Sequence, residues 1–114
     1  PNIGEPTLRR WLMANDYSII DETIVEENRK LYEIIVAEKT EQSVSYTDQE
    51  LLFGPVLIKK QGPVFTKKWQ RELKQRKTVL AQLAKASGEH IEKQAKLQQD
   101  QQLIEEVLAN GCER

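Results

Sequence analysis

The sequence predicts an α/β segment followed by an α-helical hairpin, and three observations carry that expectation. Ile34-Ile35-Val36-Ala37 is strand-like and apolar at four consecutive positions. Two breakers, Phe53-Gly54-Pro55 and Gln61-Gly62-Pro63, then interrupt the chain. From Pro63 onward Trp69, Leu73, Leu80 and Leu83 recur at heptad-like spacing with Arg76 intruding, and the pattern resumes in Leu97, Ile104 and Leu108.

Gly4-Glu5-Pro6 opens a helix, because proline tolerates the first helical positions and Glu5 suits the positive end of the helix dipole. Leu8, Trp11 and Leu12 give it one apolar stripe, and Asn15-Asp16 ends it. Tyr17 to Glu27 reads as a strand, Asn28-Arg29-Lys30 as a turn and Leu31 to Lys39 as a second strand, so an antiparallel hairpin is expected. Side chains alternate faces along a strand, so the run 34–37 makes both faces of the second strand apolar, as in an interior strand covered on each side. A two-stranded hairpin with one helix cannot supply that cover. Further strands upstream, or another chain, are expected to do so.

Residues 41–48 are polar and irregular, with Thr47 or Asp48 as the cap of a new helix. Phe53-Gly54-Pro55 stops that helix. Val56 to Lys60 reads equally as extended or helical. Beyond Pro63 two antiparallel helices are expected, with the tip near Ser87 to Ile91, Leu83 opposite Leu97 and Leu73 opposite Leu108; Leu103 and Val107 widen the stripe. The alternative is one unbroken helix that pairs with a second molecule. The domain boundary falls between residues 45 and 46.

Net charge is −1, but it is divided unevenly. Residues 1–56 carry 5 basic and 11 acidic groups, residues 57–114 carry 12 and 7. Between Lys59 and Lys77 the basic side chains are Lys59, Lys60, Lys67, Lys68, Arg71, Lys74, Arg76 and Lys77, opposed by Glu72 alone. Phe65 and Trp69 lie among them. A basic surface carrying aromatics suits a folded polyanion; the plainer reading is a solvated helical surface. Trp69 has two readings, a stacking partner for a base or a core anchor between the helical hairpin and the sheet domain.

Other chemistries find little support. The chain has one cysteine, Cys112, and one histidine, His90, which cannot build a zinc site or a disulfide within the chain. His90 falls at the proposed hairpin tip, where a solvated role is expected. The acids Asp21, Glu22, Glu26, Glu27, Glu33 and Glu38 lie on the strand hairpin and are expected to be solvated. No metal and no membrane partner is expected, and the location expected is cytoplasmic. No glycine-rich loop follows a strand, so no cofactor cradle is encoded here.

The segments PNIG, LRRWL, KLYEIIVAE, ELLFGP and FTKKWQRE, in this order, resemble the C-terminal part of the bacterial tRNA adenine-N1-methyltransferases that modify position 22, the TrmK family. The motifs cover residues 1–83, and the hairpin matches by architecture. The resemblance implies a Rossmann-like domain that uses S-adenosylmethionine, followed by a coiled-coil domain. Residues 1–45 would supply its last helix and last two strands, with the second strand inserted between its neighbours. Pro1 and Asn2 would end the fifth strand, near the target base. Residues 46–114 would form the appendage. The cofactor loop and catalytic centre would lie upstream of Pro1, leaving this chain inactive by itself. Lys59, Lys60, Lys67, Lys68, Arg71, Lys74 and Lys77 would touch tRNA phosphates and Trp69 a base. The competing reading is a non-enzymatic helical hairpin that mediates protein interaction or homodimerisation.

Overall fold

A computed structural model describes residues 4–85 and 91–112, with side chains given through residue 110. The elements are α1 (Glu5–Ala14), β1 (Tyr17–Glu27), β2 (Lys30–Lys39), α2 (Asp48–Phe53), α3 (Leu57–Lys60), α4 (Pro63–Lys85) and α5 (Ile91–Cys112). They form two compact units, Pro1–Val64 and Phe65–Arg114. The sequence reading put the boundary at 45/46; by contacts, α2 and α3 go with the strand hairpin.

α1 begins after Gly4 with Glu5 in its first turn and Pro6 beside it, and the Asn15 side chain donates to the Trp11 carbonyl at its end. Its buried residues are Arg9 and Leu12, not the expected stripe of Leu8, Trp11 and Leu12; Trp11 is 53% exposed. The hairpin turn has two residues rather than three. Asn28 and Arg29 both take positive φ, 52° and 67°, and Lys30 already pairs with Glu27. Two such residues match the twist of the flanking strands.

A β-bulge sets which side chains of β1 point inward. Ile19 pairs with Ala37 and Asp21 with Val36, leaving Ile20 as the extra residue. Ile19 and Glu22 would face opposite ways in a regular strand, but the bulge shifts the phase and puts both on the covered face. Glu22 then lies opposite Ile35, and Glu33 shares that face two residues from Ile35. Both were expected to be solvated; both carboxylates are buried.

Arg9 fills the space between them. Its Nε donates to Glu22 Oε2 at 2.9 Å, its Nη2 to Glu33 Oε1, and its Nη1 to the carbonyls of Leu51 and Leu52 at 3.1 and 3.2 Å. Glu22 Oε1 accepts from the backbone N–H of Val56 and of Leu57 at 2.9 and 3.2 Å. These two bonds draw residues 57–60 into the short helix α3, which resolves the undecided stretch. Upstream, Thr47 and Glu50 cap α2 reciprocally: Thr47 Oγ1 accepts from Glu50 N, and Glu50 Oε1 from Thr47 N. Gly54 joins α2 to α3 at φ +100°, and a Cβ there would stand 2.5 Å from Glu22 Oε1. The apolar core of this unit is Leu12, Ile19, Leu51, Leu52, Phe53 and Leu57.

The opposite face of the hairpin is uncovered. Ile34 is 52% exposed, and Ile20, Tyr32 and Val36 are exposed with it. β2 pairs with β1 alone among the described residues. Among the described residues the layer over the hairpin, α1 to α3, lies on the Arg9 side; the second cover for residues 34–37 was expected from upstream strands or another chain.

In the second unit, Phe65 and Trp69 of α4 and Asp100, Ile104 and Val107 of α5 are buried. Arg76 Nε lies 3.4 Å from Asp100 Oδ2, although 24 residues separate them. Along one unbroken helix that separation would be about 36 Å, so α4 and α5 are not one continuous helix and approach each other at this level. The expected tip, Ser87 and Gly88 with His90, lies outside the described residues, as do Pro1 and Asn2 and the side chain of Cys112.

Removing one partner from a buried ion network leaves an uncompensated charge. In the protein carrying this chain, Glu22→Ala should cost about 3–5 kcal/mol in urea unfolding. Gly54→Ala should be similarly severe, because it adds positive-φ strain to the clash with Glu22.

Candidate nucleic-acid interface

α4 is basic on one side and packed on the other because of the spacing of its residues. Phe65 and Trp69 are buried, and Arg76, Leu80 and Leu83 are half-buried along the same stripe. Lys67, Arg71 and Lys74, at i, i+4 and i+7, fall on the opposite side and are exposed, with exposed Lys77 adjoining them. These four cations span eleven residues of helix, a rise of about 15 Å. Glu72, the one acid between residues 59 and 77, is turned away: its carboxylate meets Arg76 Nη1 at 3.2 Å. The stripe is therefore a row of positive groups of the kind that tracks a phosphate backbone.

The other predicted site residues are placed differently. Trp69 is 2% exposed, its ring tilted against Phe65 with centroids 6.3 Å apart. A base cannot stack on a ring buried in this way. Lys68 is half-buried, with Nζ 4.9 Å from the centre of the Trp69 ring. Lys59 is exposed at the end of α3, in the first unit. Lys60, also in the first unit, donates to Asp21 Oδ1 at 2.8 Å and to the Glu22 carbonyl at 2.9 Å. Its charge is engaged in an exposed ion pair with Asp21. That hydrogen bond, a further one from the Glu22 N–H and the Lys60 charge hold the Asp21 carboxyl below its ordinary value.

The strand turn is Asn28-Arg29 rather than glycine, and the space beside Gly54 is filled by the Glu22 carboxylate. Among the described residues no three His, Cys, Asp or Glu side chains cluster as metal ligands, and no helix is long and apolar enough to cross a membrane.

The Arg9–Glu22–Glu33 cluster escaped sequence reasoning. Its one legible trace is that Arg9 precedes Leu12 by three residues, which places it on the same helical side.

The family model described as TrmK, tRNA (adenine(22)-N(1))-methyltransferase, matches residues 1–109. The tRNA (adenine(22)-N(1))-methyltransferase of Bacillus subtilis is 36% identical over 97% of this chain and 49% of its own length. A Streptococcus agalactiae protein of the NADB-Rossmann superfamily superimposes with a TM-score of 0.77 at 36% identity, over 91% of this chain and 43% of its own. Streptococcus pneumoniae Sp1610, in complex with S-adenosyl-L-methionine, does so with a TM-score of 0.76 at 35% identity, over 95% and 44%. The chain thus spans about half the length of the Bacillus subtilis relative.

Asp21 contributes to stability fully above its ordinary pKa of 3.8, and the contribution is lost as pH falls through the lowered folded value. Carboxyl NMR titration should give a midpoint below 3.8 for Asp21. Lys60→Met should move that midpoint upward, since it removes the leading cause.

Proposed function

We propose, from the premise that this chain belongs to the TrmK family of tRNA (adenine(22)-N(1))-methyltransferases, that it forms the C-terminal part of such an enzyme. On this reading the enzyme uses S-adenosylmethionine to methylate N1 of an adenine in tRNA, and residues 46–114 hold the tRNA. The match across residues 1–109 is the observation that carries the reading. The cationic side of α4 supports the role given to this chain within it.

Adenine N1 lies on the Watson–Crick edge, so the target base must be unpaired or turned out of its stack, at a cost of a few kcal/mol. Binding elsewhere on the tRNA offsets that cost. RNA helices are recognised largely through shape and backbone, and Lys67, Arg71, Lys74 and Lys77 are suited to phosphates. α4 and α5 would form an antiparallel, coiled-coil-like arm, a reading supported by the Arg76–Asp100 contact. The uncovered face of Ile20, Tyr32, Ile34 and Val36, with the open edge of β2, would be closed by the remaining strands and helices of a Rossmann-like sheet. No step of methyl transfer is assigned to the described residues. The enzyme would act in the cytoplasm, with its substrate.

The test is tRNA methylation by the full-length protein with methyl-labelled S-adenosylmethionine, followed by nucleoside analysis. N1-methyladenosine is the expected product, and its absence would overturn the enzymatic reading. In the same protein, Lys67→Glu, Arg71→Glu and Lys74→Glu together should weaken tRNA binding more than about tenfold and flatten the log–log salt slope by about 2. Binding unchanged at several salt concentrations would reject the role of α4.

A further inference from the structure

A charged pair occupies the seam between α4 and α5. Arg76 falls on the packed stripe of α4, with its side chain 17% exposed. Asp100 falls on the packed stripe of α5, four residues before Ile104 and seven before Val107, and its side chain is 9% exposed. The two approach to 3.4 Å. The other Asp100 oxygen accepts from Lys96 Nζ at 3.1 Å, Arg76 Nη1 reaches Glu72, and the guanidinium carbon stands 5.9 Å from the Trp69 ring centre. Arg76 belongs to the basic run 59–77, yet its charge is spent inside the unit.

Apolar side chains in a helical seam tolerate sliding by a turn, whereas a buried polar pair tolerates only the register in which both members are satisfied. We propose that Arg76 and Asp100 are positioning residues: their pairing fixes the register and rotation of α4 against α5, and so fixes which side chains α4 turns outward. A slip of α4 would strand both charges among Trp69, Ile104 and Val107 and would turn the side that carries Lys67, Arg71 and Lys74 away from its present direction. Arg76 on this account does not bind phosphate. The effect on tRNA rests on the proposed function; the effect on register does not.

Asp100→Asn separates this from simple electrostatics. It removes a negative charge near a polyanion site, which by charge alone should tighten tRNA binding. Loss of the pin should instead weaken binding at least about threefold and flatten the salt slope, because the misdirected cations of α4 reach fewer phosphates. Register is read directly by pulsed electron resonance between spin labels at Gln75 and Gln102 in full-length protein carrying Cys112→Ser. One narrow distance is expected with the native pair and a broadened or double distribution with Asp100→Asn. The exchanged pair, Arg76→Asp with Asp100→Arg, should restore both readouts. Arg76→Leu with Asp100→Leu keeps the seam packed if single variants fail to fold, and it should still show more than one distance. A single narrow distance in both Asp100→Asn and the Leu pair, or equal or tighter tRNA binding by Asp100→Asn, would overturn the proposal. If the native protein fails to bind tRNA, the proposed function fails, and the distances alone then decide the pin.

Discussion

Four elements of the first unit meet at one guanidinium. Arg9 comes from α1, Glu22 from β1, Glu33 from β2, and the carbonyls of Leu51 and Leu52 from the end of α2. Removing such groups from water costs several kcal/mol per ion, and only good geometry with further hydrogen bonds offsets it. Here the planar fork of arginine reaches two carboxylates and two carbonyls at once, which a lysine ammonium could not do in one plane. Glu22 then passes the constraint onward, with its second oxygen on the first amides of α3. The bulge at Ile20 and the missing side chain at Gly54 both follow from the need to seat that carboxylate.

The second unit solves a different problem by similar means. α4 must be packed on one side and cationic on the other, and residue spacing achieves this without special backbone geometry. Within the packed side, Glu72 and Asp100 neutralise Arg76. The only acid interleaved with the basic run is thereby removed from the outward side. What remains outward is Lys67, Arg71, Lys74 and Lys77, whose collective field, rather than any single contact, suits a polyanion. Both units thus use buried acid–base pairs for placement, a use better attested than any gain in stability.

Much of this was legible in the chain. Thr47 with Glu50 three residues later is a capping signature, and it caps α2. Pro6, Asn15 and Gly54 mark helix limits where they were expected. The buried charges were hidden because strand phase depends on a one-residue bulge, which no local pattern around Ile20 announces. Without it Ile19 and Glu22 could not share the covered face, and Arg9 would lose one of its two carboxylates. The hairpin turn was misread by one residue because Lys30 suits either a turn or a strand end. Residues 56–60 were undecidable because their helix depends on a carboxylate 34 residues earlier in the chain. In the candidate interface the periodicity of α4 was visible, but the engagement of Lys60 by Asp21 depends on tertiary structure and was not.

The account rests on tRNA phosphates lying along one side of α4. Lysine-reactivity footprinting by mass spectrometry, on the full-length protein with and without unmodified tRNA, reads this residue by residue. Protection should concentrate at Lys67, Lys74 and Lys77 and spare Lys30 and Lys93. Equal protection at all of these lysines, or protection of Lys30 and Lys93 instead of the α4 set, would contradict it.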